Sequence, residues 1–192
     1  MSVEAIELVD GEIVVRPYRV EDIPALYEAA RESIPELSVW MPWCHPDYSI
    51  DESRSFILSR AEAWKRDAEY GFGIFAQVSG RYLGGVGLNF VNRNHDLVNL
   101  GYWVRSSATG RGIASSATRL VARFAFERLG FQRVEILAAT GNVASQRVAE
   151  KAGAVKEAVL RKRLRLHGKP VDGVLYSLVA EDLMPSSASG TQ

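Results

Sequence analysis

Apolar and polar positions alternate along this chain with two different periods, and the points where the period changes divide it into elements. Residues 12–16 (EIVVR) carry the apolar run of a short strand, ended at Pro17. From residue 21 to 33 the period is helical. Ile23, Leu26, Tyr27 and Ala30 recur at i, i+3, i+4 and i+7, which predicts an amphipathic helix stopped by Pro35. Residues 37–48 have no period and are aromatic and broken by prolines. Asp51 then offers an N-cap for a second helix to about residue 67, with Phe56, Ile57, Ala61 and Trp64 on one face.

The period shortens to two at residue 71. Phe72, Ile74, Ala76 and Val78 alternate, Ser79 and Gly80 read as a hairpin turn, and residues 82–91 form the return strand. Gly84, Gly85 and Gly87 within that strand point to a bend or a close backbone approach. After a turn at 92–96 comes a strand over 98–104, then a loop of small and basic residues to Gly112. A long helix follows, with Ile113, Ala117, Leu120, Val121, Phe124 and Ala125 on its apolar side and Gly130 past its end. Residues 134–139 predict another strand. Asn142 caps a short helix to about residue 152, closed by Gly153, and strands at 155–166 and 171–179 flank a turn. No repeat or linker divides the chain, so residues 1–184 are expected to form one domain and the small, polar residues 185–192 a disordered tail.

Composition narrows the classes. Among 192 residues, 23 basic and 23 acidic side chains give no net charge, which argues against a general nucleic-acid binder and direct DNA binding. A lone cysteine, Cys44, excludes an internal disulfide framework and fits a reducing compartment. No basic leader with an apolar core opens the chain and no 18-residue apolar run occurs, so a cytoplasmic protein without membrane attachment is expected. Cys44 and His45 adjoin, but no second cysteine or spaced histidine pair completes a metal site. No GxSxG run supports a serine hydrolase.

The chemistry concentrates between residues 99 and 127. A strand, a loop bearing Gly110 and Gly112, and a helix in that order aim backbone N–H groups and the positive end of a helix dipole at whatever lies over the loop. Glycine lets the chain approach a ligand closely, and Arg111 adds a charge. This is an anion cradle suited to phosphate. It is not a P-loop, and the dinucleotide pattern fails at Ser115. Elsewhere, strand parity puts Glu135 on the same face as Leu137. There it is either a general base or a carboxylate paired with Arg133 or Lys156. The basic run 161–165 reads as the solvated face of a strand, or as a hold for an acidic partner.

Residues 109–114 (TGRGIA) resemble the pyrophosphate loop R/Q-x-x-G-x-G/A of the Gcn5-related N-acetyltransferases (GNAT), with Thr109 where Arg or Gln is usual. Residues 142–153 (NVASQRVAEKAG) resemble the N-x-x-S-x-x-x-x-E-K-x-G signature of that superfamily's RimJ/RimL-type branch. The stretch 37–43 is similar to its L-x-x-W-x-P-W acceptor loop, 101–104 to its G-Y-W strand, and 173–178 to its closing strand. The resemblance implies an α+β fold: a mixed, mostly antiparallel sheet of about seven strands, flanked by four helices. The sheet would splay between the strands at 98–104 and 134–139, where the pantetheine arm of acetyl-CoA would lie. It also implies that main-chain groups of Trp103, Val104 and Arg105 pair with that arm. The pyrophosphate would rest on Thr109, Gly110, Arg111, Gly112, Ile113 and Ala114, with Asn142, Ser145 and Lys151 completing the cofactor site.

For chemistry, the resemblance implies direct acetyl transfer to a primary amine in a ternary complex. A backbone N–H near Val104 would face the oxyanion, and Ser145 the leaving sulfur. Many relatives use a tyrosine seven residues after the asparagine; that position is Ala149 here. Ser145 could equally serve only as the third residue of a capped helix. Glu135 is the candidate base. Trp40, Trp43 and Asn99 are candidates for holding the acceptor, with core packing the alternative for the tryptophans. The implied acceptor is a protein or peptide N-terminal amine, with a small-molecule amine next and a non-catalytic acyl-CoA-binding module as the rival. A homodimer is compatible with all three.

Overall fold

Alternation over residues 70–104 builds the frame of the molecule, an antiparallel meander of β3 (Tyr70–Ala76), β4 (Tyr82–Asn92) and β5 (Leu97–Val104). The structure, a computed structural model, describes residues 5–184; the tail expected at 185–192 lies outside the described residues. On one side β3 pairs with β2 (Ile13–Pro17), and β2 with β1 (Leu8–Asp10). On the other, β5 runs parallel to β6 (Arg133–Ala139). Antiparallel β8 (Lys169–Leu178) and β7 (Val155–Leu166) complete the order β1-β2-β3-β4-β5-β6-β8-β7. The described sheet thus has eight strands rather than seven. The extra one is β1, folded back through Gly11 (φ +52°), and its three residues are too few for a period of two to show.

The four expected helices are α1 (Ile23–Glu32), α3 (Ile50–Lys65), α4 (Ile113–Leu129) and α5 (Val143–Lys151). A single turn, α2 (Ile34–Leu37), is added, and it corrects the role of Pro35. The break falls at Ser33, whose hydroxyl donates to the Ala29 carbonyl at 2.7 Å. Pro35 sits in the first turn of α2, where a missing N–H is harmless. The cap of α3 is Ser49, not Asp51. The Ser49 N–H donates to the Glu52 carboxylate at 2.8 Å and the Ser49 hydroxyl accepts from the Glu52 N–H at 3.4 Å, a reciprocal capping box.

Strand parity sorts the sheet into two faces. Phe72, Ile74, Val86, Leu88, Val98, Leu100, Val134, Ile136, Tyr176 and Leu178 point one way and pack under Ala117, Val121 and Phe124 of α4. Against the other face lie α1 and α3, through Leu26, Ile57 and their neighbours.

Past the end of β5, Arg105 is 3% exposed and ties the two layers together. Its guanidinium donates to Glu32 (3.0 Å), Glu28 (2.9 Å) and the Tyr82 carbonyl (3.2 Å). The following N–H groups continue the clamp, Ser106 to the Ser33 hydroxyl at 3.0 Å and Ser107 to Glu32 at 2.8 Å. Hydrogen bonds from Arg105 hold the Glu32 carboxyl down at about 2, against an ordinary 4.5. A depressed carboxyl contributes stability that is complete above its unfolded value and is lost as pH falls through its folded one. Urea unfolding of Glu32→Gln beside the parent should therefore show a deficit that is constant above about pH 5 and closes toward about pH 2. A deficit that does not change with pH would contradict the clamp.

Candidate active site

The site begins where β5 and β6 part. They pair at Leu97 with Arg133, Val98 with Val134 and Asn99 with Glu135, and no further, although both strands run on. Peptide groups lining the gap follow from alternation. The Arg105 N–H donates to the Leu83 carbonyl at 2.8 Å, so the groups of Trp103 also face β4, while those of Tyr102 and Val104 face the gap. The Arg105 carbonyl accepts from the Ala108 N–H at 2.9 Å. Main-chain pairing through Trp103 and Arg105 is thus corrected: the peptide groups of Trp103 face β4, both groups of Arg105 are engaged within the chain, and Tyr102 joins Val104 at the gap instead. The gap itself is a cavity of about 150 Å³ between Leu100, Gly101 and Tyr102 on one wall and residues 136–139, Asn142 and Ser145 on the other.

From β5 the chain turns through a short loop into the N-terminus of α4. Gly110 (φ +77°) and Gly112 (φ +78°) take left-handed backbone, which glycine adopts without strain. A Cβ at either would meet nothing within 4 Å, so the loop is open above them. No side chain caps the helix at Gly112 and its first turn holds no acid, which leaves the end N–H groups and the dipole for an anion. Exposed Arg111 stands between the glycines. The N–H and hydroxyl of Thr109 both donate to the Ser106 carbonyl, at 3.3 and 3.0 Å, so the first loop position offers no donor. Ile113 is buried and Ala114 half-buried in the first turn of the helix.

Across the gap, the Asn142 side chain accepts from the Ser145 N–H at 3.0 Å, capping α5. The Ser145 hydroxyl lies 3.1 Å from the Tyr102 hydroxyl, which also donates to the Ser145 carbonyl at 2.8 Å. Burial pushes the Tyr102 phenol up to about 12, although the bond to Ser145 works the other way. Tyr102 escaped the sequence reading. Its only signal was parity, which sends it from β5 toward α5, the side on which Ala149 withholds a tyrosine. Lys151 ends α5 on the surface and lines neither cavity; its carbonyl accepts from Arg119 at 3.0 Å.

A second cavity of about 480 Å³ opens on the other sheet face, walled by Tyr18, Trp43, Tyr48, Phe56 and Trp103. Met41, Gly101 and Tyr102 line both cavities. The two candidate tryptophans separate. Trp43 walls the aromatic cavity, while Trp40 lines the gap, its ring 3.3 Å from where a Cβ on Gly141 would be. Asn99 lines neither; it donates to Asn89 at 2.7 Å, and Asn89 borders the aromatic cavity.

Glu135 is not brought to Ser145. It lies on the sheet face opposite Tyr102, lines neither cavity, and accepts from Arg133 at 2.8 Å. Arg133 also holds Glu157, whose carboxyl is kept at about 2 by that arginine and the Ser177 hydroxyl. Of its two readings, ion pairing with Arg133 is the one the structure displays. Cys44 is buried with its sulfur 3.6 Å from the Ala30 carbonyl, and burial raises its thiol. His45 meets Glu52 at 2.9 Å and His167 meets the Val39 carbonyl at 3.2 Å. Among the described residues no group of three metal-ligating side chains occurs, and no helix is long and apolar enough to cross a membrane.

An anion cradle beside a parted parallel strand pair, with a second cavity meeting it, invites comparison with known proteins. Residues 12–155 match the family model described as the acetyltransferase (GNAT) domain. The chain is 32% identical to the "Probable N-acetyltransferase YjcK" of Bacillus subtilis, over 88% of this chain and 95% of the relative. It is 30% identical to the same organism's "Putative ribosomal N-acetyltransferase YdaF", over 91% and 94%. Among solved structures, the ribosomal L7/L12 α-N-protein acetyltransferase RimL in complex with coenzyme A shares the fold. Its TM-score is 0.83 at 21% identity, covering 91% of this chain and 98% of that one. The family model spans more than half of the chain and includes the strand, the loop and the helix start that form the cradle, so the chain belongs to the GNAT family of acetyl-CoA-dependent N-acetyltransferases.

Proposed function

We propose that this enzyme acetylates the α-amine of a peptide or protein N-terminus, by direct transfer with both substrates bound at once. One observation carries the reading: two cavities enter from different sides of β5 and meet at Met41, Gly101 and Tyr102. The relative named as a ribosomal N-acetyltransferase supports the choice of a protein acceptor. A small-molecule amine is the second reading, favoured by an aromatic cavity whose 480 Å³ falls in the range of small-ligand sites.

Acetyl-CoA supplies the activated acyl carbon. Arg111 and the first-turn N–H groups of α4 hold its diphosphate, and the peptide groups of Tyr102 and Val104 face its pantetheine arm. The Val104 N–H donates to the carbonyl oxygen as charge builds there. The amine nitrogen forms the new C–N bond, the C–S bond breaks, and the Ser145 hydroxyl, which donates to the Tyr102 oxygen before the thioester binds, turns its hydrogen to the departing sulfur. Tyr102 is a positioning residue that holds Ser145 by donating to its carbonyl. A covalent route has no exposed thiol at the junction, since Cys44 is sealed under α1. Nor does a carboxylate stand there. Glu52 is bound to Ser49 and His45, and Glu69 to Arg60. The ammonium therefore loses its proton to water, as does the attacking nitrogen after bond formation, and the thiolate takes one back.

Initial rates with both substrates varied should give intersecting double-reciprocal lines; parallel lines would mean an acyl-enzyme. Ser145→Ala and Tyr102→Phe should each lower kcat by about tenfold, about 1.4 kcal/mol of barrier, while the KM for acetyl-CoA stays within about twofold. A rise in KM at constant kcat would make the pair structural. With no protein base, kcat/KM for a peptide should rise about tenfold per pH unit and level off near about pH 8, where the α-amine itself titrates. A break in the usual carboxylate range would instead expose a catalytic base that this mechanism lacks.

A further inference from the structure

Five glycines lie on one face of three adjacent strands. The register sets Gly71 beside Gly87 and Gly87 beside Gly101, with Gly73 beside Gly85 in the next row. A glycine inside a strand costs about 0.5–1 kcal/mol relative to alanine, so such a cluster needs a cause. At four of them the protein supplies it. A Cβ would come within 2.9 Å of the Arg60 side chain at Gly71, 2.7 Å of the Phe75 ring at Gly73, 2.5 Å of the Tyr18 hydroxyl at Gly85 and 3.1 Å of the Tyr70 carbonyl at Gly87.

Gly101 is different. A Cβ there would meet nothing within 4 Å, and its backbone is not left-handed, so nothing in the chain itself requires a glycine. It is also the floor of the junction between the two cavities. The space above it is kept for something that is not part of the protein.

What that is follows from the rest of the aromatic cavity. Gly87 and Gly101 make a floor of bare backbone, while the Arg60 side chain covers Gly71 and the Tyr18 hydroxyl and Trp103 cover Gly85. Over it stand Trp43, Tyr48 and Phe56, with Trp43 packed edge-on against both Tyr48 (5.7 Å) and Trp103 (5.6 Å). The charged and phenolic groups of the lining already have partners: Tyr18 with Tyr82, Tyr48 with Ser53, Glu52 with Ser49 and His45, Arg60 with Glu69. Asn89 accepts from Asn99 and Tyr70 donates to Asp67. A polar acceptor side chain would lose water here and displace an existing bond to be satisfied. An apolar one would gain by burial, and a ring would gain further against the edges of the walls.

We infer that the acceptor lays a large apolar side chain, best an aromatic ring, on the bare backbone at Gly87, between Arg60 and the aromatic walls. The carbon that bears its amine then uses the clearance above Gly101. This rests on the α-amine reading given above. It makes Gly101 the residue that admits the acceptor and the aromatic walls the residues that select its first side chain.

The test uses short peptides identical except for a first residue of Phe, Leu, Ala or Glu, together with phenethylamine, and follows thiol release from acetyl-CoA. Peptides beginning with Phe or Leu should exceed those beginning with Ala or Glu in kcat/KM by at least about tenfold. Trp43→Ala should flatten that ratio. Gly101→Ala should lower kcat/KM for the Phe peptide at least about tenfold, with coenzyme A affinity by calorimetry unchanged and the thermal midpoint equal or raised, because the added methyl touches no protein atom and alanine suits a strand better than glycine. Equal or better turnover of the Ala or Glu peptides would overturn the inference while leaving the peptide reading intact. Turnover of phenethylamine with no peptide accepted would overturn the peptide reading and support the apolar floor. A Gly101→Ala enzyme that keeps full activity on the Phe peptide would remove Gly101 from the role.

Discussion

The structure depends on a pairing that stops. After Asn99 and Glu135 the parallel strands β5 and β6 separate, and the peptide groups of Tyr102 and Val104 are left facing a gap. Peptide groups without partners cost free energy if they are buried, so a strand in this position tends to close onto its neighbour. Here it is held back. β5 pairs along its other edge with β4 from Gly84 to Asn89, and the Tyr102 hydroxyl props α5 away through Ser145. The unpaired edge is what an extended ligand with amide groups can complete, as an added strand would.

The same arrangement joins the two halves of the site. The chain leaves β5 through Arg105 directly into the loop of Gly110 and Gly112, so whatever fixes Arg105 also fixes the cradle. That residue is locked to Glu28 and Glu32 of α1, and its neighbours to Ser33 and Glu36. From α1 and α2 the chain runs on into residues 38–48, which carry Met41 and Trp43 to the aromatic cavity. A buried arginine between the glycine loop and the wall of the aromatic cavity therefore sets their relative position. Such a group is costly to bury, and its three acceptors are what make the burial tolerable.

How much of this could be read from the residues follows from the range of each signal. The loop at 110–114, the cap at Asn142 and the meander were legible because each is written in a few consecutive residues. The strand β1 was not, since three residues carry no period. Trp40 and Trp43 read as one pair and fall into two cavities, because a turn lies between them and nothing local says which way each ring goes. Parity alone would have replaced Trp103 and Arg105 by Tyr102, but only once the edge engaged by β4 was known. The Tyr102–Ser145 contact spans 43 positions, and Arg105 meets Glu32 across 73. Neither distance is visible to a local pattern. For Glu135 the sequence left two readings open, because Arg133 stands two residues away on the same face and the strand pattern does not say which neighbour a carboxylate takes.

The account turns on which amides of β5 are unpaired, and hydrogen exchange followed by NMR reads that directly. Without ligand, the amide protons of Trp103 and Arg105 should exchange slowly and those of Tyr102 and Val104 quickly. Saturating coenzyme A should slow one or both of the second pair and leave the first pair unchanged. Slow exchange at Tyr102 and Val104 in the free protein, or no response there to bound coenzyme A, would contradict the open edge on which everything else is built.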